Sequence, residues 1–393
     1  MFYLGIDIGK NTHVASMLGS DGKAVFKAFS FTNTTDGGNS LLSLINKHIS
    51  LSSEIEIGME ATGHYWLALY SFLIEKGFVI HVINAIQTDG WRKGVEIRKR
   101  KTDPIDSLLI ADLIRYGSFV ETSLANENIM SLKTLCRFRS YLVDSIADLK
   151  RKIICVLDQV FPEYQSVFSN IFGATSKEIL STYASPSEIE SLSVDTLAEL
   201  LASLSRKKID YDKAEKLSKL ATNSFGVTFC KDSFAFQLKM LIEQMRFIEQ
   251  QVKDTEKQIK DLLAVINSPI TTIPGIGPVL GAVILSEIGD IAKFSEPAKL
   301  VAYAGIDASV SQSGEYERSS NHMSKRGSPY LRRALFQASL VACNNDPILQ
   351  AFYEKKRAEG KHHSTCIGAV SRKLCYIIFT ILKENRPYEK RNP

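Results

Sequence analysis

Hydrophobic and polar residues follow two periods along this chain, a strand period at the beginning and a helical period over most of the remainder. The early pattern predicts three successive strands, a helix, a strand, a helix, a strand and a final helix, over residues 2–8, 12–18, 24–31, 41–48, 55–60, 65–76, 78–83 and 104–116. A basic connector precedes the last helix. This order predicts an α/β domain over residues 1–120, in which three antiparallel strands precede alternating helices and strands.

Beyond residue 120 the pattern becomes helical. Apolar residues at three- and four-residue spacing from Leu132 to Leu157 predict a long amphipathic helix that ends near Pro162. A second long helix is predicted over residues 233–266, and a serine-rich insert with shorter helices lies between the two. Such a pair favours a coiled-coil arm over residues 121–266, packed within the chain or used to dimerise. Closing helices then predict a mainly helical C-terminal domain over residues 267–393.

Length, charge and cysteine content restrict the class of protein. A chain of 393 residues is too long for one ordinary core and should form two or three domains. The net charge of +5 is only mildly basic, so nucleic-acid binding must depend on local clusters. The six cysteines show no CxxC spacing, which is typical of a reduced cytosolic protein. No apolar run approaches the roughly 20 residues that span a bilayer. We therefore expect a cytoplasmic protein without a membrane anchor.

Acidic residues occur where predicted buried elements meet loops. Asp7 lies within the apolar first strand, and Glu60 ends the fourth strand. Asp103 and Asp106 lie three apart at the start of the last helix of the domain, so they share one face. A charge in a strand core is costly unless something pairs with it, and converging carboxylates are commonly held together by a divalent cation. The pattern predicts a Mg²⁺ site for phosphoryl transfer.

Each of these acids also has an ordinary structural interpretation. Asp103 could be the N-cap of its helix, with Asp106 favouring the helix dipole. Asp7 could be a turn residue, and Glu60 could cap the following helix. Against this, the order of elements is that of a ribonuclease H-like, resolvase-like domain, in which metal ligands fall on the first strand, the fourth strand and the last helix. That agreement favours the metal site.

Basic clusters and a glycine turn indicate nucleic-acid contacts. The candidates are two groups of basic residues, Arg92, Lys93, Arg98, Lys99, Arg100 and Lys101 in the connector and Arg318, Lys325, Arg326, Arg332 and Arg333 near the C-terminal helices. Either group could instead be a solvated surface. The turn Ile273-Pro274-Gly275-Ile276-Gly277-Pro278 favours a helix-hairpin-helix whose Gly275 and Gly277 approach a DNA phosphate, although a simple helix–helix turn has the same pattern.

Serines beside glycine and basic residues are candidate nucleophiles. A serine that attacks DNA needs an exposed hydroxyl, a flexible backbone and nearby arginines that neutralise the phosphate. Four residues meet this description, Ser311, Ser313, Ser324 and Ser328. The local chemistry does not choose among them, and all four could be loop residues.

These motifs, taken together and in order, resemble one known family. GIDIGK, GMEATGHYW, KTDPIDS, LCRFRSYLVDSIADLKRKI with FPEY, IPGIGP, and SG followed by SKRGSPYLRRAL span nearly the full chain. The chain is similar to the DEDD transposases of the bacterial insertion-sequence 110 family, which are related to Piv-type DNA invertases. The resemblance implies Asp7, Glu60, Asp103 and Asp106 as the acidic site and, by position before Gly314, Ser313 as the nucleophile.

The resemblance also implies partners. Members of this family look like recombinases directed by an RNA from their own element that pairs with donor and target DNA, and they act as homodimers that join into homotetramers. The serine would link transiently to DNA while the acidic site of another subunit assists with Mg²⁺. The chain departs from the family pattern at Asn84-Ala85, where Asn-Pro is usual, and in the long insert of the arm.

Three rival functions remain open from the sequence. A sugar-kinase-like phosphotransferase also begins with GIDIG, but it needs a second phosphate-binding half, which the later sequence does not show. A resolvase-like endonuclease would use the four acids alone and tolerate Ser313→Ala. A non-catalytic nucleic-acid-binding protein would keep the acids as structural caps and tolerate Asp7→Asn.

Overall fold

The protein is represented by a computed structural model that describes residues 1–61, 63–95, 102–117, 119, 126–205, 210–308, 312–313, 316–317 and 322–390. The chain forms two compact units, residues 1–124 and 125–393, and each is described by itself. The second unit contains both the predicted arm and the predicted C-terminal domain. The division into three domains therefore stays a prediction.

The first unit is an α/β unit built on one mixed sheet. Its elements are β1 (Phe2–Asp7), β2 (Thr12–Gly19), β3 (Ala24–Thr32), α1 (Thr35–Ile45), β4 (Ile55–Glu60), α2 (Trp66–Glu75), β5 (Val79–Ile83), α3 (Ala85–Val95) and α4 (Asp103–Tyr116). The strand order is β3-β2-β1-β4-β5. The β1–β2 and β2–β3 pairs are antiparallel, whereas β4 runs parallel to β1 and to β5. This topology is consistent with the predicted ribonuclease H-like domain.

The two faces of this sheet are covered differently. Leu4 and Ile6 of β1 belong to a core that also contains Leu41 of α1 and Leu73 of α2. Because successive residues of a strand point to opposite faces, Gly5 and Asp7 face the other side. There α4 lies so close that a Cβ atom on Gly5 would overlap the main chain of α4. Glycine at position 5 therefore permits the helix and the sheet to approach each other closely.

The second unit is almost entirely helical. Its elements are α5 (Glu127–Val160), α6 (Ala174–Thr182), α7 (Pro186–Glu190), α8 (Val194–Ser205), α9 (Tyr211–Thr222), α10 (Lys231–Ile266), α11 (Pro278–Ile288), α12 (Pro297–Ala304), β6 (Gln312–Ser313), β7 (Tyr316–Glu317), α13 (Pro329–Asn345), α14 (Pro347–Ala358) and α15 (His363–Glu384). The start of α5 shares a core with the end of α10, and the end of α5 with the start of α10. The two long helices are therefore antiparallel, and their use as a coiled coil stays a prediction.

Helices α3 and α14 were not anticipated from the pattern. The basic connector contains α3, whose apolar pattern is interrupted by Gly90 and Gly94. Helix α14 is also absent from the sequence prediction, because Lys355, Lys356 and Arg357 end it in a run of charge. Both helices carry residues that matter below.

Helix α15 combines length with apolar composition. Residues His363–Glu384 are long and apolar enough to cross a membrane by those two criteria. Half of its apolar window is buried inside the unit, however, where Ile367, Val370 and Leu374 are fully covered. A core helix passes the same test, and the packing against α12, α13 and α14 indicates that α15 is one.

Candidate active site

The structure places Asp7 and Glu60 at the same edge of the sheet. Gly5 of β1 pairs with Gly58 of β4 and Ile6 with Met59, so the last residues of the two parallel strands lie side by side. A Cβ atom on Gly58 would contact Ile110 and Ile114 of α4. Residues two apart on a strand share a face. Asp7 and Glu60 therefore both lie on the face that α4 covers.

The direction of α4 brings its first turn to the same edge. A Cβ atom on Gly22, in the turn between β2 and β3, would lie 3.3 Å from Cζ of Arg115, which is near the end of the helix. That turn follows Gly19, which pairs with Phe2 at the beginning of β1. The N-terminus of α4, with Asp103 and Asp106, must then lie toward the edge where β1 and β4 end.

Helix α3 connects two of the four acids directly. Arg92 Nη2 donates to Asp106 Oδ1 at 2.8 Å, and the side chains of Arg92 and Asp106 are only 15% and 10% exposed. One turn earlier, the Thr88 hydroxyl donates to the Glu60 carboxylate. Side chains four apart on a helix are neighbours, with Cβ atoms about 6 Å apart. One face of α3 thus holds Glu60 and Asp106 close together.

Helix α3 is itself fixed to α4. Trp91 Nε1 donates to Asp112 Oδ2 at 3.3 Å, and Arg115 Nη2 donates to Asp112 Oδ1 at 2.7 Å. Asp112 therefore receives hydrogen bonds from both helices. These contacts position Thr88 and Arg92 over the acidic edge.

The capping interpretation of Asp103 is not reproduced by the structure. The N-cap of α4 is Thr102, and Asp103 and Pro104 are its first helical residues. Asp103 is exposed, and within the described part of the chain its side chain makes no capping hydrogen bond. Asp106 is buried in the ion pair with Arg92.

The four acids share an edge without forming a closed ligand cluster. Among the described residues, no group of three or more His, Cys, Asp or Glu side chains stands close enough together to hold a metal ion. The arginine on Asp106 supplies positive charge at that carboxylate, where a cation would otherwise do so. The donor set itself consists of carboxylate oxygens, the ligands that Mg²⁺ prefers.

The candidate serines differ in their surroundings. Ser328 is the N-cap of α13: its oxygen accepts from Leu331 N at 3.2 Å, and its hydroxyl donates to Glu287 Oε2 at 2.8 Å. The Ser324 hydroxyl donates to Asp307. Ser313 lies on β6, where its backbone pairs with Tyr316 of β7. Its side chain, and Ser311 altogether, lie outside the described residues.

Main-chain bonds hold the base of the segment that carries Ser313. Ser324 N donates to Asp307 O at 2.9 Å, Lys325 N to Gly305 O at 3.1 Å, and Ser328 N to Tyr303 O at 3.0 Å. Lys325 adopts a positive φ of 54°, which turns the chain there. These bonds join residues 303–307 to residues 324–328, so the two ends of the segment that carries Ser313 are held next to each other.

Glu287 joins this base to the long helix α5. It is 2% exposed, and its carboxylate accepts from Arg137 Nε at 2.8 Å and from Arg137 Nη2 at 3.2 Å. Lys133 Nζ lies 4.0 Å away. Burial alone would raise the pKa of Glu287, but the hydrogen bond from Arg137, the charge of Lys133 and the hydrogen bond from Ser328 lower it below its usual value. The acid therefore stays charged inside the unit.

The predicted basic contacts divide into two groups. Lys325 and Arg326 are exposed, as nucleic-acid contacts require. Arg333 instead pairs with Asp144 at 2.7 Å, and Arg332 Nη1 donates to Ala304 O at 3.3 Å. Lys93 is exposed and pairs with Asp89 at 2.6 Å. Arg98, Lys99, Arg100, Lys101 and Arg318 lie outside the described residues.

The glycine turn has a packing role. Gly275 has a φ of +85°, and a Cβ atom there would lie 2.6 Å from Ala338 O and from Ala342 N of α13. Gly277 is the exposed N-cap of α11, with open space where a Cβ would stand. The close approach predicted for Gly275 is thus made to α13, and phosphate contact by the helix-hairpin-helix stays a prediction.

Two models of known protein families match this chain, and the matched residues include both candidate sites. The family model for DEDD transposases of the IS110 type, described as a transposase, matches residues 4–162, which include all four acids. A second model, described as the transposase IS116/IS110/IS902 family, matches residues 267–354, which include the serine segment. The chain belongs to the IS110 family of transposases.

Relatives match this transposase over most of its length. It is 26% identical over 393 residues to the "Pilin gene-inverting protein" of Moraxella bovis, covering 99% of this chain and 98% of that protein. It is 27% identical over 302 residues to the "Insertion element IS110 uncharacterized 43.6 kDa protein" of Streptomyces coelicolor, covering 75% of this chain and 73% of the relative. The "Mini-circle putative transposase for IS117" from the same organism is 24% identical, covering 92% of this chain and 89% of that protein. The predicted family and the predicted enzyme class, a DNA recombinase or transposase, are confirmed.

Sequence reasoning missed three residues of the transposase that the structure places at its candidate sites. Thr88 and Arg92 contact the acidic edge, although Arg92 was interpreted as a nucleic-acid contact. Glu287 was not considered at all, yet a lone acid in the apolar helix α11 was a visible signal.

Proposed function

We propose that this transposase cuts and joins DNA strands through two groups, an acidic site that binds Mg²⁺ and a serine nucleophile, Ser313. The observation that carries the acidic site is the bridge made by α3, whose Thr88 contacts Glu60 and whose Arg92 contacts Asp106. Asp7 and Asp103 lie at the same edge by strand register and helix direction. We assign Asp7, Glu60, Asp103 and Asp106 as the residues that would hold the ion.

The acids and the serine would do different work. Ser313 Oγ would attack a DNA phosphorus, forming a phosphoserine ester while the phosphorus–oxygen bond to the strand breaks and the released deoxyribose oxygen takes up a proton. The hydroxyl of a second strand would reverse the reaction and release the serine. When bound, Mg²⁺ would neutralise charge on the reacting phosphate. Lys325 and Arg326, both exposed at the base of the serine segment, would bind the DNA backbone.

Strand exchange fits the relatives better than hydrolysis does. The printed names describe an inverting protein and a putative transposase, and both activities require cut strands to be rejoined. A covalent serine link conserves the bond energy needed for rejoining, whereas an endonuclease using the acids alone would release it. The remaining features that the family resemblance implies belong to the same proposal: an element-encoded guide RNA, a homodimer that joins into a homotetramer, and contact of the two groups between subunits.

The test combines the full-length protein with RNA transcribed from its flanking DNA, donor and target duplexes and MgCl₂. The wild type should form recombined product. Ser313→Ala should lose both the covalent protein–DNA species and the product, and Asp7→Asn should lose the product. Retained cleavage by Ser313→Ala would establish the endonuclease alternative. Full recombination by Asp7→Asn would refute the acidic site, and product formed without the RNA would refute the guide.

A further inference from the structure

A pocket between α14 and α15 carries an unusual concentration of positive charge. Its volume is about 540 Å³. Four of its lining residues are basic, Lys356, Lys361, Arg372 and Lys373, and none of the described residues that line it is acidic. Lys361 and Thr365 line it at the beginning of α15, where the helix dipole adds further positive potential. Like charges gathered in a concave site favour an anion.

Nearby carboxylates compensate only part of this charge. Glu359 accepts from Lys356 Nζ at 2.8 Å and from Lys361 Nζ at 2.8 Å, so one acid serves two lysines. Within the described part of the chain, Arg372 and Lys373 pair with no carboxylate. Lys373 Nζ instead lies 4.8 Å from the centre of the Phe352 ring. Two cations therefore remain for a ligand.

A second, mainly apolar pocket adjoins the first. It has a volume of about 430 Å³ and is lined by Ile348, Ile377 and Tyr388, with Arg386 and Glu389 also on its wall. Lys373 and Tyr376 line both pockets. Tyr376 is 47% exposed, so part of its side chain is open to a ligand where the basic and apolar pockets meet. Exposed aromatic rings beside a basic groove are what nucleic-acid bases stack on.

Hydrogen bonds tie the walls of this double pocket to other parts of the second unit. Tyr388 OH donates to Asp346 Oδ2 at 2.6 Å, and Tyr388 N donates to Thr272 Oγ1 at 2.8 Å. Arg372 Nε donates to Ile306 O at 2.7 Å. Ile306 precedes Asp307 at the base of the segment that carries Ser313. The pocket is therefore attached to the part of the second unit that presents the candidate nucleophile.

We propose that this double pocket binds one unpaired nucleotide of a nucleic-acid strand, with its phosphate between Arg372 and Lys373 and its base on Tyr376. Adjacent anionic and apolar compartments match the phosphate and base of a single nucleotide. A duplex would offer its phosphates but keep its bases stacked, so the site should discriminate in favour of single strands. The proposal depends on neither the metal site nor Ser313.

The test measures binding of fluorescein-labelled 20-nucleotide DNA and RNA single strands, and of the matching DNA duplex, to the full-length protein in EDTA. Tyr376→Ala should weaken single-strand binding about tenfold, the usual effect of losing one stacked base. Lys373→Gln should weaken it and reduce the slope of log K against log salt by about 0.7. Both variants should leave duplex binding nearly unchanged.

Matched controls exclude general effects of charge, aromatic content or folding. Lys355 precedes Lys356 on α14 but is exposed and lines neither pocket, so Lys355→Gln should bind like the wild type. Tyr211, 51% exposed at the start of α9, supplies the aromatic control Tyr211→Ala. Thermal melts would verify that all variants fold.

The comparison of strands identifies the source of the nucleotide. Tighter binding of RNA or of DNA, lost in Tyr376→Ala, would support the site and name its ligand. Unchanged single-strand affinity in both Tyr376→Ala and Lys373→Gln would overturn the proposal. Equal losses on single strands and on the duplex would also overturn it, because they would indicate backbone contact without an unstacked base.

Discussion

Arg92 of α3 donates to the Asp106 carboxylate at 2.8 Å, both side chains are largely buried, and Thr88 one turn earlier on α3 donates to the Glu60 carboxylate. A guanidinium and a divalent cation neutralise the same charge, so they compete for this carboxylate. The contact suggests that the acidic edge is held together by an arginine when no cation is bound. Loading of the site with Mg²⁺ would then require Arg92 to release Asp106.

Replacing Arg92 should therefore lower the stability of the first unit and raise its affinity for Mg²⁺. Arg92→Gln removes the guanidinium charge from the buried Asp106 carboxylate, and we expect the first unit to lose about 2 kcal/mol of stability without metal. Added Mg²⁺ should raise its melting temperature more than in the wild type, because the ion no longer displaces an arginine. Both tryptophans, Trp66 and Trp91, lie in this unit, so their fluorescence reports its melting.

Lys93 provides the control for this experiment. It is the next residue on α3, 71% exposed, and pairs with Asp89 at the surface. Lys93→Gln should change neither the melting temperature nor the response to Mg²⁺, since exposed pairs contribute at most about 1 kcal/mol. An Arg92→Gln protein with a wild-type Mg²⁺ response would show that Arg92 does not compete with the ion.

The buried charge of Glu287 should contribute strongly to the stability of the second unit. Glu287→Gln keeps the shape of the side chain but leaves Arg137 and Lys133 without their carboxylate, and we expect a loss of about 3 kcal/mol from the second unit. Because the folded-state pKa of Glu287 is lowered, its contribution is complete above the ordinary carboxyl pKa and is lost as the pH falls through the lowered value. Urea denaturation followed by far-UV circular dichroism from pH 7 to pH 3 would measure both effects.

Glu256 is the matched control for Glu287. It lies on α10 and pairs at 2.7 Å with Arg139, which is on α5 like Arg137, but both side chains are 26% exposed. Glu256→Gln should cost no more than about 1 kcal/mol. Equal losses in the two variants would mean that burial of Glu287 has no special effect.

Substitutions at two glycines of one turn, Gly275 and Gly277, test its packing role and its predicted phosphate contact separately. Gly275→Ala forces a side chain into a positive φ and into the backbone of α13, and we expect it to destabilise the second unit by about 3 kcal/mol. Gly277→Ala meets open space and should cost less than about 1 kcal/mol. Circular dichroism gives the stabilities, and DNA binding of the folded Gly277→Ala protein tests the predicted phosphate contact. A stable Gly275→Ala protein would contradict the packing role.

The sequence predicted what depends on local pattern and missed what depends on distant partners. The strand period predicted β1 and β4, which end in Asp7 and Glu60. The expectation that Asp103 and Asp106 lie near them came from the ribonuclease H-like order of elements. The Arg92–Asp106 pair could not be predicted, because Gly90 and Gly94 obscure the helix that presents Arg92. The contact of Gly275 with Ala338 joins residues far apart in the chain. No local feature distinguishes Ser313 from the other candidate serines, so only the family resemblance selects it.

His13 should make the first unit sensitive to mild acid. It is 1% exposed on β2, with its ring 5.3 Å from that of Phe31, and burial lowers its pKa although the nearby Asn33 side chain partly opposes the shift. A histidine kept neutral by folding gains a proton more readily when unfolded. Stability is therefore complete above the ordinary histidine pKa of 6.5 and decreases as the pH falls below it toward the lowered folded-state value. Melting followed by tryptophan fluorescence from pH 8 to pH 5 should show this decrease in the wild type and a smaller one in His13→Gln.

His48, exposed shortly after α1, supplies the control His48→Gln, which should keep the wild-type pH dependence. A His13→Gln profile parallel to that of the wild type would assign the acid sensitivity to other groups.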